Sequence, residues 1–148
     1  MSQTRGATPP PALAEYPLRT FEKLRYADTD RQGHVNNAVF ATMLETGRVE
    51  LLYAPEAPLH DEGCAFVIAS LHLDFRAELT WPGTVDVGTR VATIGKSSFT
   101  LEQGLFQGET CVATAQTVIV QMNERSRRSQ PVGEVALRRL SGLTGSRP

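Results

Sequence analysis

The sequence predicts an α+β fold in which an antiparallel sheet curls around one long helix. Three observations predict it. Between Val35 and about Tyr53 apolar residues recur at helical spacing, beyond Gly63 the pattern changes to period two, and the later strands are separated by short turns rather than helix-length connections.

Leu18 to Tyr26 is the first expected strand, bounded by proline-rich sequence and carrying the alternation Glu22, Leu24, Tyr26. In the helix, Val35, Val39, Met43, Gly47 and Leu51 form a stripe that Phe40, Leu44 and Leu52 widen. Pro55 and Pro58 end it. So broad a stripe suits a helix enclosed by a sheet. Past Gly63, Val67, Ala69, Leu71, Leu73 and Phe75 are expected on one face, with Ser70, His72, Asp74 and Arg76 on the other. Trp81-Pro82-Gly83 turns the chain into a strand through Val85, Val87 and Val91, and Gly95-Lys96-Ser97 breaks it before Phe99 to Gln107. Gly108-Glu109 opens Thr110 to Met122, where Val112, Thr114, Gln116, Val118, Val120 and Met122 oppose Ala113, Ala115 and Ile119. One helix leaves such a sheet with free edges and uncovered apolar surface, so self-association is expected.

With 148 residues, 41% of them hydrophobic, the chain closes one core. We expect a single domain over residues 18–140, a loose lead-in over 1–17 and a frayed tail over 141–148. Fifteen basic and sixteen acidic residues give a net charge of −1, which provides no global attraction to nucleic acid or an anionic membrane. Cys64 and Cys111 make no Cys-x-x-Cys pair or disulfide framework, which points to a reducing cytoplasmic setting. The opening residues lack a signal peptide's apolar core, and no apolar run reaches the ~20 residues that cross a bilayer.

Candidate chemistry gathers in Tyr26 to Ala38, where two carboxylates, an imidazole and two carboxamides meet the helix start. First-turn amides and the positive end of the helix dipole suit an oxygen that gains charge during a reaction. Asp30 is the candidate base or nucleophile, its alternative being a capping or turn aspartate. Asp28 reads as structural, a turn residue or a partner for Arg25 or Arg31. Gly33 permits a positive φ or close approach of a ligand. His34 is a candidate to orient Asp30 or bind substrate. Asn36 and Asn37 either cap the helix or touch a carbonyl. Glu45, two turns into the helix, pairs first of all with Arg48, with a catalytic or water-holding role behind that.

Other chemistries fit poorly. Asp28-x-Asp30-x-x-Gly33 opens like a calcium loop, but its twelfth position falls on Val39, where a glutamate is required. His34, His60 and His72 lack paired metal-ligand spacing, and we expect neither metal nor cofactor. No Gly-x-Ser-x-Gly elbow and no phosphate-binding Gly-x-x-x-x-Gly-Lys run occurs.

Tyr26-Ala-Asp-Thr-Asp30-Arg-Gln-Gly33-His34-Val-Asn36-Asn37-Ala-Val-Phe40, followed by Met43-Leu44-Glu45-Thr-Gly-Arg48, resembles the signature of the hotdog-fold acyl-CoA thioesterases of the 4-hydroxybenzoyl-CoA thioesterase type. The likeness runs from about Leu18 to Val132. It implies a five- or six-stranded antiparallel sheet around the helix, dimers joined edge to edge and often paired into tetramers, and active sites at the dimer interface. It implies that Asp30 is the nucleophile or general base, and that a backbone amide at the helix start polarises the thioester carbonyl. The family branch with a catalytic histidine places it where Asn37 stands, whereas His34 belongs to the Gly-His-Val-Asn-Asn branch.

The expected reaction is therefore hydrolysis of an acyl-CoA thioester, with the carbonyl against the amides of Asn36, Asn37, Ala38 and Val39. Arg125, Arg127 and Arg128 form a basic cluster suited to coenzyme A phosphates, or else a solvated charge run. The rivals are a non-catalytic acyl-CoA sensor, and a hydratase, for which the helix lacks a histidine after His34.

Overall fold

The computed structural model describes residues 9–145. Five strands, β1 (Leu18–Lys23), β2 (Cys64–Phe75), β3 (Thr84–Ile94), β4 (Ser98–Gln107) and β5 (Thr110–Asn123), form one sheet in the order β1-β3-β4-β5-β2. Every pairing is antiparallel, and the sheet is open, with β1 and β2 at its edges. The helix α1 (Asn37–Leu52) lies in its concave face, giving the hotdog arrangement; α2 (Glu134–Ser141) follows the last strand.

The core forms because period two in the strands and period 3.6 in α1 aim apolar side chains at one another. Phe40, Met43 and Leu44 of α1 pack on Val85, Val87, Leu105, Ala113 and Ala115. Leu51 and Leu52 pack on Phe66, Val91, Phe99, Leu101 and Ile119, with Ala136, Leu140 and Leu143 closing the far end. Truncating a fully buried leucine such as Leu44 to alanine costs about 2–5 kcal/mol. On the edge nearest β1, α1 is fixed by hydrogen bonds from Thr46 to Glu22 and from Thr20 to Glu50.

Several expectations need correction. The first strand stops at Lys23, because Arg25 and Asp28 close a 3-10 turn over Tyr26–Asp28. A bulge between Ile68 and Ser70 slips β2 by one residue, so Phe66 and Ile68 share a face with Leu71, Leu73 and Phe75, while Val67 points the other way. The second helix was not anticipated. Its buried Ala136 and Leu140 continue into Leu143, whose carbonyl accepts from the Val91 amide at 2.8 Å, so the tail packs well past Ser141; residues 146–148 lie outside the described part.

The described part of the lead-in packs on the sheet. Tyr16 is buried on the convex face, over a notch where Gly88 and Gly104 face each other across β3 and β4. Arg90 stacks on its ring at 5.5 Å, and Phe106 meets it edge-on. Burial pushes the Tyr16 phenol up to about 12. Residues 1–8 of the expected lead-in lie outside the described part.

Candidate active site at the start of the central helix

The motif loop is built from its own polar side chains. Asp28 is 4% exposed and accepts hydrogen bonds from the Arg25 amide and from Arg25 Nη2, both at 2.8 Å. Burial pushes the Asp28 carboxyl upward, but the Arg25 side chain and amide outweigh it and hold it below the usual carboxylate value. The Asp28 carbonyl accepts from the Asn36 amide at 2.8 Å, which ties the entrance of the loop to its exit.

Between them, Asp30 Oδ1 accepts from the amides of Gln32 at 2.9 Å and His34 at 3.2 Å. The Asp30 amide donates to the His34 carbonyl at 2.7 Å, and the Gly33 amide to the Asp30 carbonyl at 3.0 Å. Gly33 has φ 86°, a left-handed conformation that favours glycine at this tight turn. Asp30 remains exposed, and Oδ2 makes no hydrogen bond among the described residues. One oxygen thus holds the loop while the other faces solvent. His34 forms a β-bridge with Thr80 and places Nε2 3.2 Å from Glu78 Oε1, so it meets that carboxylate rather than the Asp30 carboxylate.

Asn36 caps α1, its side chain accepting from the Ala38 amide at 2.9 Å, and its carbonyl accepts from the Val39 amide at 2.9 Å. Three of the four amides expected to meet a carbonyl are therefore occupied. Only the Asn37 amide has no acceptor among the described residues. Asn37 is itself exposed, so its side chain and its amide both border solvent.

Two other expected groupings do not form within one chain. Glu45 is exposed and makes no ion pair with Arg48, which turns inward beneath α1 toward Gln103. Glu45 also lies eight residues beyond Asn37, roughly 12 Å along the axis. Arg125, Arg127 and Arg128 are exposed on the turn after β5, where Asn123 Oδ1 accepts from the amides of Arg125 and Ser126 at 2.9 Å. Buried Gln121 anchors that turn by bonding the Asp61 amide and the Pro131 carbonyl, both at 2.8 Å. The sequence reading missed Glu78 and Thr80, which join the motif only because the chain after β2 returns beside it.

The arrangement offers a carboxylate oxygen and a free amide at the amino end of a helix, beside an imidazole. No three His, Cys, Asp or Glu converge as a metal site among the described residues. No helix among them is long and apolar enough to cross a membrane.

Residues 24–140 match the model of the Thioesterase-like superfamily, and the chain belongs to that family. No curated protein sequence matches it. Among solved structures it is similar to the PA5185 protein from Pseudomonas aeruginosa strain PAO1, with 25% identity, TM-score 0.83, and coverage of 95% of this chain and 100% of that one. A thioesterase from Thermus thermophilus, complexed with coenzyme A and Zn, is 28% identical with TM-score 0.76, over 90% of this chain and 98% of the other. A hypothetical protein, TT1821, from Thermus thermophilus is 30% identical with TM-score 0.74, over 84% and 98% of the two chains.

Proposed function

We propose that this protein hydrolyses acyl-CoA thioesters, in the manner of the 4-hydroxybenzoyl-CoA thioesterase type, with Asp30 as general base or nucleophile. The observation that carries this reading is the division of labour within Asp30: Oδ1 is pinned by two amides, and Oδ2 is left without a partner next to the start of α1. In the general-base form Oδ2 takes a proton from water, and the water oxygen attacks the thioester carbon. In the nucleophilic form Oδ2 itself attacks, and water then cleaves the mixed anhydride. Either way the C–S bond breaks, the thiolate leaves and is protonated, and a carboxylic acid and free coenzyme A result.

The Asn37 amide is the donor for the oxygen that becomes negative, helped by the dipole of α1. Its neighbours Asn36, Ala38 and Val39 shape the turn that presents it, and Gly33 keeps the approach open, since a Cβ there would meet nothing within 4 Å. His34 positions the loop through Glu78 and Thr80.

Coenzyme A needs cations for its phosphates, and here a second copy of the chain enters. Arg125, Arg127 and Arg128 follow the end of β5, which pairs with Cys64 at the start of β2, whereas the His34 bridge lies beyond its end at Thr80. A 12-residue strand spans roughly 37 Å, so one chain's cluster does not serve its own motif. Antiparallel pairing of two β2 edges places the cluster of one protomer beside the motif of the other. The exposed apolar residues Ile68, Leu71 and Phe75 on that free edge favour such pairing. The functional unit is thus a homodimer, alone or within a tetramer, working in the cytoplasm.

Thiol release from a panel of acyl-CoA esters tests the reading. Asp30→Asn keeps an oxygen for both amide bonds and removes the base, so turnover falls about 10²–10⁴-fold with Tm unchanged. Binding without thiol release in both forms indicates an acyl-CoA sensor instead.

A further inference from the structure

The free edge of β2 is open along only part of its length. Opposite Phe66 on β5 stands Gln121, whose amide donates to the Ser97 carbonyl on the β4 side, so Phe66 turns its own amide and carbonyl away from β5. Tyr53, the residue that ends α1, takes both groups: its hydroxyl accepts from the Phe66 amide at 3.3 Å and donates to the Phe66 carbonyl at 3.4 Å. The His60 and Phe66 rings flank the Tyr53 ring, with centroids at 5.6 Å and 6.2 Å. Two residues before Phe66, the Cys64 amide is taken by the Asp61 carbonyl. The edge is therefore shut from Cys64 to Phe66.

Further along, the edge is open. Ile68 stands opposite Ile119, and past the bulge Leu71, Leu73 and Phe75 stand opposite Thr117, Ala115 and Ala113, all at even steps from Gln121 along β5. By the same alternation their amides and carbonyls face away from β5, and no group among the described residues meets them there. Ile68, Leu71 and Phe75 also expose their apolar side chains. An open ladder with apolar side chains along it is suited to another strand.

We propose that a second copy of this chain pairs antiparallel with the open stretch Ile68–Phe75 about a two-fold axis at His72, and that the Tyr53 hydroxyl sets this register by closing the edge at Phe66. The proposal rests on the homodimer argued above and adds its register and the residue that selects it. With Phe66 excluded, the longest pairing sets Phe75 opposite Ile68 of the partner subunit and Leu73 opposite Leu71 of the partner subunit, and the two His72 residues meet at the axis. The next longer register centres on Leu71 and sets Phe75 opposite Phe66 of the partner subunit, whose backbone groups Tyr53 occupies. The next shorter one centres on Leu73 and leaves Ile68 unpaired. The choice fixes how far the arginines of one copy stand from the motif of the other. Phe75 meets Phe40 at 5.0 Å, three residues into α1 from Asn37. In the proposed register Cys64 of the partner subunit, which pairs with the β5 end that carries the basic turn, falls four residues past Phe75, roughly 13 Å along the edge toward the motif. In the longer register that span shrinks to roughly 7 Å. Tyr53 is thus a positioning residue for the coenzyme A moiety without touching it.

The test is disulfide cross-linking of the full chain under mild oxidation, read on non-reducing gels, with Leu71→Cys, His72→Cys and Leu73→Cys made singly in a Cys111→Ser background, since Cys64 is buried. Facing residues across the axis come within about 4.5–5.5 Å, which a disulfide spans, whereas residues two places out of register do not. His72→Cys should cross-link alone, Leu71→Cys and Leu73→Cys should not, and an exchanged mixture of those two should. Adding Tyr53→Phe should produce a Leu71→Cys cross-link, and by itself should raise KM for acyl-CoA with kcat retained. A dimer in which Leu71→Cys or Leu73→Cys links to itself and His72→Cys does not overturns the register, and an unchanged pattern with Tyr53→Phe overturns the role of Tyr53. Should Leu71→Cys or Leu73→Cys not fold, His72→Cys, at an exposed position, decides alone. Sedimentation as a monomer overturns the homodimer and the register together, while an inactive protein with the expected cross-links leaves the register standing and overturns only the hydrolysis.

Discussion

Asp28 and Asp30 stand two residues apart and have different surroundings. Asp28 is buried against Arg25, one of the two partners that the sequence left open, while Asp30 keeps one oxygen toward solvent. The sequence shows which residue types crowd the helix start, but not that Asn36 occupies two of the nearby amides and leaves Asn37 free. That distinction depends on the φ and ψ of the cap, which spacing does not encode. Arg48 was similarly misread as the partner of Glu45, because burial beneath α1 cannot be told from exposure at i, i+3 spacing. Asp28 carries a pH signature. Its folded carboxyl lies below the ordinary value, so the unfolded chain takes up the proton first. The stabilisation is complete above about pH 4 and is lost as pH falls through the folded value. Urea midpoints measured from pH 6 to pH 3 should therefore drop below about pH 4, and Asp28→Asn should flatten that drop.

At the scale of elements, the long helix and the four later strands were legible because their periodicities persist over many residues. The bulge in β2 was not legible, since one extra residue shifts the facing of everything before it without altering composition. The second helix left a signal in the spacing of Ala136, Leu140 and Leu143, but eight residues after a basic turn are short for periodicity to stand out. The glycine notch is a product of pairing: Gly88 and Gly104 lie sixteen positions apart in the chain and meet only through the β3–β4 register. A Cβ at Gly88 would come within 2.6 Å of the Tyr16 ring. Gly88→Ala is expected to cost about 1–3 kcal/mol by overpacking, read as a lower urea midpoint at unchanged slope.

Across the whole molecule, the sheet has two free edges, β1 and β2, and the proposed site draws on groups that one chain holds far apart. The basic turn and the acidic motif lie at opposite ends of β2, and in the homodimer proposed above a second copy aligned antiparallel along that edge unites them. The sequence suggested self-association from uncovered apolar surface, whereas the proposed geometry of the shared site required the strand order. Subunit mixing tests this central claim most directly. Asp30→Asn and the triple variant Arg125→Ala, Arg127→Ala, Arg128→Ala are each expected to be nearly inactive at low acyl-CoA concentration, for different reasons. After exchange of subunits, a mixed dimer carries one site with both Asp30 and the arginines intact, so thiol release should recover to about a quarter of the wild-type rate, half the dimers having one of two sites restored. A mixture no more active than its separate components would contradict the account.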